Sequence, residues 1–138
     1  MTLLFFASTN DKHIQLLQKK VENFHEVTEV YRTVNSLSIR LRNSLFDIAG
    51  VILVVFNHKD LDELLETCSI LKDLSTIIII PERDKHAMKK GLSFRPKFIS
   101  YSNNDFNDVL TVLSKIIKSA YKDKTFLVDS YTGRPYGD

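Results

Sequence analysis

Polar side chains that could bind an anion or a nucleotide follow the apolar runs of this sequence. Ser8 and Thr9 follow LLFFA, Asn57 follows VILVVF, and Arg83 comes shortly after IIII. The stretch STND at 8–11 could hold a phosphate at the start of a helix, where backbone N–H groups are free to bind it. However, this stretch lacks the glycines of a flavin-phosphate site or a P-loop.

Helix capping and turn formation are the competing explanation for these polar residues, because Ser, Thr, Asn and Asp serve both purposes. We prefer that explanation for Asn10 and Asn103. For Ser8, Thr9 and Arg83 we keep ligand binding as the alternative.

No constellation for catalysis can be assembled from the residue types and spacings. The single cysteine, Cys68, falls on the apolar side of a predicted helix, where a thiol is an inert core residue. The four histidines lack metal-ligand spacing such as H-x-x-x-H and are interpreted as surface or cap residues: His13, His25, His58 and His86. We therefore predict that the chain is not an enzyme and has neither a metal site nor a cofactor.

The composition indicates one cytoplasmic domain. Of 138 residues, 43% are hydrophobic, which is enough for a sizeable core. The net charge of +2 lacks the basic excess of a nucleic-acid binder, although Lys and Arg concentrate at 85–97. The lone cysteine fits a reducing compartment, and the longest apolar runs are too short to span a membrane. We therefore expect no nucleic-acid partner and no membrane contact.

The elements that carry these residues alternate between strands and helices. Short apolar runs at 3–7, 51–56, 77–80 and 97–101 are typical of strands buried on both faces, and 26–32 of a half-exposed strand. Apolar residues at helical spacing follow each run, with predicted caps at Asn10 or Asp11, Asn35, Asp60, Asp84, and Asn104 or Asp105. This order predicts a flavodoxin-like α/β fold, a three-layer sandwich around a five-stranded parallel sheet of order 2-1-3-4-5.

With these elements in place, roughly residues 2–122 resemble a response-regulator receiver domain. In that family, two acidic residues after the first strand hold Mg²⁺, and the third strand ends in the aspartate that accepts a phosphoryl group. Ser8 and Thr9 occupy the two acidic positions, and the acceptor position falls on Val55 or Phe56, with Asn57 just beyond.

The remaining functional positions of the family also differ in this chain. The fourth strand should end in a hydroxyl residue, where this chain has Ile80 and Pro81, and Tyr101 occupies the position of the family's lysine. The resemblance thus implies a pseudo-receiver that signals without aspartyl phosphorylation. Its degenerate receiver pocket would consist of Ser8, Thr9, Phe56, Asn57, Pro81 and Tyr101.

The stretch 77–113 also resembles uncharacterised receiver-like proteins of bacteria. Their pattern is roughly P-x-R-D, then G, then R-P-x-F-[IL]-S-Y, then D-F-x-D-V. The matching residues here are Pro81, Arg83, Asp84, Gly91, Arg95, Pro96, Phe98, Ser100, Tyr101, Asp105, Phe106, Asp108 and Val109. This second resemblance implies the same fold and no particular activity.

Receivers use the face of the fourth helix, fifth strand and fifth helix for protein contacts. The candidate partner face here would include Met88, Phe94, Arg95, Tyr101 and Phe106. We predict a domain at 1–123 and a tail at 124–138, whose apolar start TFLV packs either on another chain or on its own helices.

Two functional hypotheses follow. The first is a non-catalytic signalling or scaffold module that acts through protein contacts as a homodimer. The alternative is a sensor of a small ligand, a nucleotide or a flavin, that binds at the carboxyl edge of the sheet through Ser8, Thr9, Asn57 and Arg83.

Overall fold

A computed structural model describes most of the chain, and the predicted α/β order is present in it. The residues described are 1–67, 69–81, 84–102 and 105–132. Within these ranges, residue 67 and residues 124–132 are described by their backbone alone. The predictions for Cys68, Arg83, Asn103 and Asn104 fall outside these ranges.

Strands and helices alternate along the described chain. The elements, in order, are β1 (Thr2–Ala7), α1 (Lys12–Glu22), β2 (Val27–Tyr31), α2 (Val34–Leu41), β3 (Ile48–Val54), α3 (His58–Thr67), a short 3-10 helix (Ser69–Asp73), β4 (Thr76–Ile80), α4 (Lys85–Leu92), β5 (Phe98–Tyr101) and α5 (Asn107–Thr132).

The five described strands form one parallel sheet of order β2-β1-β3-β4-β5, which confirms the predicted topology. Every residue of β1, β3 and β4 is buried. β2 lies at an edge and is partly exposed, as its interrupted apolar pattern predicts. Continuous apolar runs thus form the inner strands, because helices cover both faces of a parallel sheet.

Two apolar cores lie on opposite faces of the sheet. Alternate side chains of each strand point to opposite faces, so Leu4 and Phe6 enter one core and Leu3 and Phe5 the other. Helices α2, α3 and α4 pack on the first face, and α1 and α5 pack on the second. The predicted three-layer sandwich is confirmed.

Helix starts agree with the predicted caps at some helices and differ at others. Asp11 and Asp84 accept hydrogen bonds from the first-turn N–H groups of α1 and α4, as predicted. The predicted caps of α2 and α3 are wrong: Thr33 caps α2 in place of Asn35, and Asn57 caps α3 in place of Asp60. In both loops a polar residue two or three positions earlier makes the capping bond.

The long helix α5 runs across the predicted boundary between 1–123 and 124–138. Its backbone is helical from Asn107 without interruption to Thr132. The domain boundary at this point stays a prediction, and residues 133–138 lie outside the described ranges.

Candidate functional site

The carboxyl ends of the strands meet at one edge of the sheet, and the degenerate receiver pocket was predicted there. The β1–α1 loop brings Ser8 to this edge half-buried and Thr9 exposed. The Ser8 hydroxyl donates a hydrogen bond of 2.8 Å to Oδ2 of Asp60. The loop is therefore tied to α3 through a neutral donor and a single carboxylate.

The end of β3 carries no acidic group at the position where a receiver has its phosphoryl acceptor. Val55 is buried, and its N–H donates to the carbonyl of Ile79 at 2.8 Å, so the ladder continues past the end of β3. Phe56 is half-buried and packs against the core of α1 and α5. The side chain of Asn57 is used for capping, because its Oδ1 accepts from the N–H of Asp60 at 2.9 Å.

Asp60 is the acidic residue that the sequence analysis did not assign to this edge. It is half-buried in the first turn of α3, three positions after the capping Asn57. This three-residue spacing from the cap is the sequence signal that could have placed Asp60 at this edge, because a residue in the third helical position lies beside the cap. Its contact with Ser8 spans 52 residues, and local patterns give no information on such a contact.

A second polar contact joins the starts of α3 and α4. His58 Nε2 lies 2.6 Å from Oδ2 of Asp84. The N–H of Ala87, the contact with His58 and the N–H of His86 together hold the pKa of Asp84 below its usual value. This carboxylate is therefore engaged by the start of α4 and by His58.

A cation among the described residues of this edge is Arg32, which follows β2. Its Nη1 donates to the carbonyls of Ala7 and Thr9, each at 3.1 Å, and its Nη2 donates to Oε1 of Gln18 at 3.2 Å. These bonds fix the backbone of the β1–α1 loop. Because two of the three acceptors are backbone carbonyls, Arg32 orders the β1–α1 loop.

The donor set at this edge fits a magnesium ion poorly. Mg²⁺ prefers several hard oxygen ligands, with carboxylates among them. Ser8 and Asn57 supply neutral oxygens, and Asp11 and Asp84 cap helices. Among the described residues, no group of three or more His, Cys, Asp or Glu side chains is arranged to hold a metal.

The other two members of the predicted pocket lie where β4 and β5 end. Pro81 is half-buried directly after β4. Tyr101 is the last residue of β5, pairs with Ile80, and packs partly against the core of α2, α3 and α4. Its side chain also lines a groove on α4, so it is shared between the edge and the neighbouring helix face.

That groove, the α4–β5 groove, has a volume of about 440 Å³. Its walls are mainly apolar, and Leu92 is 59% exposed within it. Two lysines and one carboxylate complete the lining, which consists of Asp84, Lys85, Met88, Lys89, Leu92 and Tyr101. Met88 and Tyr101 of the candidate partner face thus lie in one groove.

Two residues of the candidate partner face are instead core residues. Phe94 is 1% exposed because the turn after α4 directs it into the core of α2, α3 and α4. Phe106 is 2% exposed, has φ of 66°, and packs in the core of α1 and α5, with its ring 4.5 Å from that of His13. Arg95 is exposed, as a surface role requires.

Two of the solved structures that this chain resembles are receiver domains. The chain superposes with a TM-score of 0.68 on a CheY-like receiver domain protein from Methanospirillum hungatei, at 9% identity over 88% of this chain and 97% of that one. The signal receiver domain of an HD domain-containing protein from Pseudomonas fluorescens gives 0.69, at 14% identity and the same coverage. The chain has a receiver-like fold.

A pilus assembly-related protein from Burkholderia pseudomallei is also similar, with a TM-score of 0.64 and 6% identity over 86% of this chain and 90% of that one. No family model matches the sequence, and no curated protein matches it. At these identities the likeness shows the fold alone.

No helix in the described ranges is long and apolar enough to cross a membrane.

The ligand-sensor hypothesis stays a prediction. Its residues Ser8, Thr9 and Asn57 do not line the α4–β5 groove, and Arg83 lies outside the described residues.

Proposed function

We propose that this receiver-like chain is a signalling module that acts through protein contacts and is not phosphorylated on aspartate. The observation that supports this most directly is Asn57. It stands beside the acceptor position, and its side chain caps α3 through the bond to the N–H of Asp60. An amide is not a phosphoryl acceptor, and this one is already engaged.

The electrostatics of the edge support the same proposal. Phosphoryl transfer depends on positive charge that neutralises the phosphate, which a divalent metal supplies when carboxylates hold it. Ser8 contributes a hydroxyl that donates to Asp60, and the carboxylate of Asp11 in the same loop is engaged in capping α1. A single carboxylate with a neutral partner would hold Mg²⁺ weakly.

Intact-mass spectrometry after incubation with acetyl phosphate and Mg²⁺ tests this proposal. We expect no phosphoryl adduct and no change in thermal midpoint with beryllofluoride. Asp60→Asn is the matched variant, because it removes the carboxylate that Ser8 contacts at this edge. An adduct on the unmodified chain that disappears in Asp60→Asn would overturn the proposal and identify the acceptor.

The α4–β5 groove is the surface that we propose for a protein partner. Met88, Leu92 and Tyr101 offer apolar contacts, and Lys85 and Lys89 lie at the same groove. The first turn of α4 contains no acidic residue. A partner segment with apolar anchors and acidic neighbours would complement both features.

Selection from a displayed peptide library gives a test that needs no known partner. We expect the selected peptides to combine Asp or Glu with Leu, Phe or Met, and to lose most binding to Lys89→Glu. Lys115→Glu on the exposed side of α5 is the matched control. Selected peptides that bind Lys89→Glu and the parent chain equally would contradict the assignment of this groove.

A further inference from the structure

Asp84 belongs both to helix α4 and to the α4–β5 groove. Its Oδ1 accepts hydrogen bonds from the N–H groups of His86 and Ala87, at 2.9 and 3.2 Å, and so caps α4. Its other oxygen, Oδ2, lies 2.6 Å from Nε2 of His58 at the start of α3. The same carboxylate lines the groove beside Lys85. The two oxygens therefore divide the capping of α4 from the contact with His58.

A proton can reach this contact from solvent, because the side chain of His58 is 49% exposed and that of Asp84 is 36% exposed. Histidine is the residue type that ordinarily gains or loses its charge between about pH 5 and 8. Lysine, tyrosine and aspartate, which also line the groove, ordinarily keep their charge state across that range. His58 is thus the described group through which a change of pH reaches the lining, by way of Asp84.

Other charged side chains lie on the elements that pack around His58. On α3, Asp60 accepts from Ser8, and Asp62 pairs with Lys90 of α4 at 2.7 Å. On α2, which packs on the same face of the sheet, Arg40 is paired with Glu29 and Asp47. Three further charged or titratable residues beside the contact are exposed: Lys59, Lys85 and His86. Glu82 and Arg83 lie outside the described ranges.

We propose that the proton on His58 regulates the α4–β5 groove, which binds acidic segments more tightly when His58 is protonated. This inference rests on the groove that is proposed above as the partner surface. With neutral His58, the carboxylate of Asp84 is uncompensated and repels an acidic segment at the lining. With protonated His58, an ion pair compensates that carboxylate, and the charge of Lys85 and Lys89 prevails.

Protonation of His58 changes the charge at the groove and leaves the fold in place. The cap of α4 uses Oδ1 of Asp84, which does not contact His58. The ion pair of Asp62 with Lys90 joins α3 to α4 independently of His58. Because both His58 and Asp84 are partly exposed, water and salt screen their interaction, and we expect a change in affinity of about two- to fivefold.

Peptide binding at about pH 8 and about pH 6, at one ionic strength, tests the inference. The probe is an acidic peptide without histidine, taken from the displayed-library selection and labelled with a fluorophore. We expect the parent chain to bind it roughly two- to fivefold more tightly at the lower pH. His58→Gln cannot gain the proton, so it should bind at both pH values as weakly as the parent does at the higher pH.

Asp84→Asn is the opposite variant, because it removes the charge and keeps an oxygen that can cap α4. It should bind the peptide at both pH values at least as tightly as the parent does at the lower pH. His86→Gln is the matched control. His86 carries an exposed imidazole on the same helix and does not line the groove, so this variant should keep the pH dependence.

A double-mutant cycle in urea unfolding gives a readout that needs no partner. His58→Gln, Asp84→Asn and the double variant are compared with the parent at the same two pH values. The coupling between the two substitutions should be larger at the lower pH, because the contact is an ion pair only when His58 is protonated. The same unfolding curves show that each variant is folded.

The inference is overturned by equal peptide affinities of the parent at the two pH values, or by a pH dependence that survives in His58→Gln. A coupling that is the same at both pH values would also overturn it. Peptides that bind Lys89→Glu and the parent equally would remove the groove proposal and this inference together. Binding that is lost in Lys89→Glu yet insensitive to pH would remove this inference alone.

Discussion

Asn57 has a structural task just beyond the position, Val55 or Phe56, where the receiver-like resemblance implies a chemical one. Its amide oxygen accepts the first-turn N–H of Asp60, and its side chain is otherwise exposed. An aspartate at this position could make the same bond. Capping therefore does not distinguish the two residue types, since either one satisfies the helix.

Asn57→Ala should lower the free energy of unfolding by about 1 kcal/mol, because α3 loses its N-cap. Asn57→Asp should keep stability within about 0.5 kcal/mol of the parent, since a carboxylate is an equivalent cap. Urea unfolding measures both.

Asn57→Asp is also informative in the phosphorylation assay. It should remain unlabelled with acetyl phosphate and Mg²⁺, because Ser8 and Thr9 supply no carboxylate for the metal. Labelling of this variant would indicate that one substitution restores the site.

The titration of the Tyr31 phenol reports on the edge strand β2. Burial, together with a hydrogen bond of 2.7 Å to Glu29, raises the pKa of Tyr31 from 10.0 to about 12. The folded state therefore holds this proton more tightly than the unfolded state. Stability from this group is fully present below pH 10.0 and is lost as the pH rises towards about 12.

Ultraviolet titration of the parent chain and Tyr31→Phe should show, by difference, one phenol that ionises near pH 12. In Glu29→Gln the pKa of Tyr31 should fall only part of the way from about 12 towards 10.0, because burial is the larger cause of the raised value. A difference spectrum centred near pH 10 would contradict this.

At the scale of elements, Arg40 joins α2 to two other parts of the fold. Its guanidinium donates to Glu29 on β2 at 2.8 Å and to Asp47 before β3 at 3.2 Å. Burial acts to raise the pKa of Asp47, but hydrogen bonds from Thr2 and Arg40 outweigh it and lower that pKa. The Arg40 side chain is 14% exposed, so solvent screens the pairs only in part.

Arg40→Leu should lower the free energy of unfolding by about 1–3 kcal/mol, less than for a fully buried pair because both carboxylates are partly exposed. Arg42→Leu, on an exposed residue just after the same helix, should change it by less than about 0.5 kcal/mol.

The pH profile gives a second readout of the same substitution. Stability from Asp47 is present above the unfolded pKa of 3.8 and is lost as the pH falls through the lowered folded value. Arg40→Leu should therefore reduce the loss of stability seen on acidification below about pH 4. An unchanged acid profile would show that Arg40 does not act through Asp47.

Two glycines offer a matched test of how closely helices approach the sheet. A Cβ on Gly50 of β3 would lie 3.0 Å from Cγ2 of Ile116 on α5, whereas one on Gly91 of α4 would meet Ile99 at an ordinary 3.6 Å. Gly50→Val should lower the free energy of unfolding by roughly 1–3 kcal/mol through overpacking. Gly91→Ala should raise it by up to about 1 kcal/mol, because alanine favours the helix. Thermal unfolding of both variants measures the contrast.

The sequence predicts the buried strands well because strands covered on both faces need continuous apolar runs. It misses the start of β3, where Ala49 and Gly50 do not continue the apolar run, although α5 packs closely there. It places two caps wrongly because several polar residues compete within three positions. Local patterns contain no information on tertiary packing. The contact of Ser8 with Asp60 depends on that packing, and so does the burial of Phe94 and Phe106.

At the scale of the whole molecule, two grooves lie on different parts of the fold. The α4–β5 groove is lined by Lys85, Lys89 and Asp84. A second groove, at the edge where the strands begin, is lined by Asp73, Asp123 and Met1, whose ammonium pairs with Glu26. Surfaces that differ in charge favour different binding segments.

The ladder bond from Val55 to Ile79 also has a consequence for amide hydrogen exchange. Val55 lies at the end of β3, between β1 and β4, and its N–H is buried in the ladder. Such an amide exchanges only when the sheet itself opens, whereas N–H groups in the edge strand β2 exchange by smaller fluctuations. Exchange measured by NMR should therefore show the Val55 amide among the slowest to exchange. The amides of β2 should exchange much faster. The amide of Val55 would then report on the global unfolding of the domain.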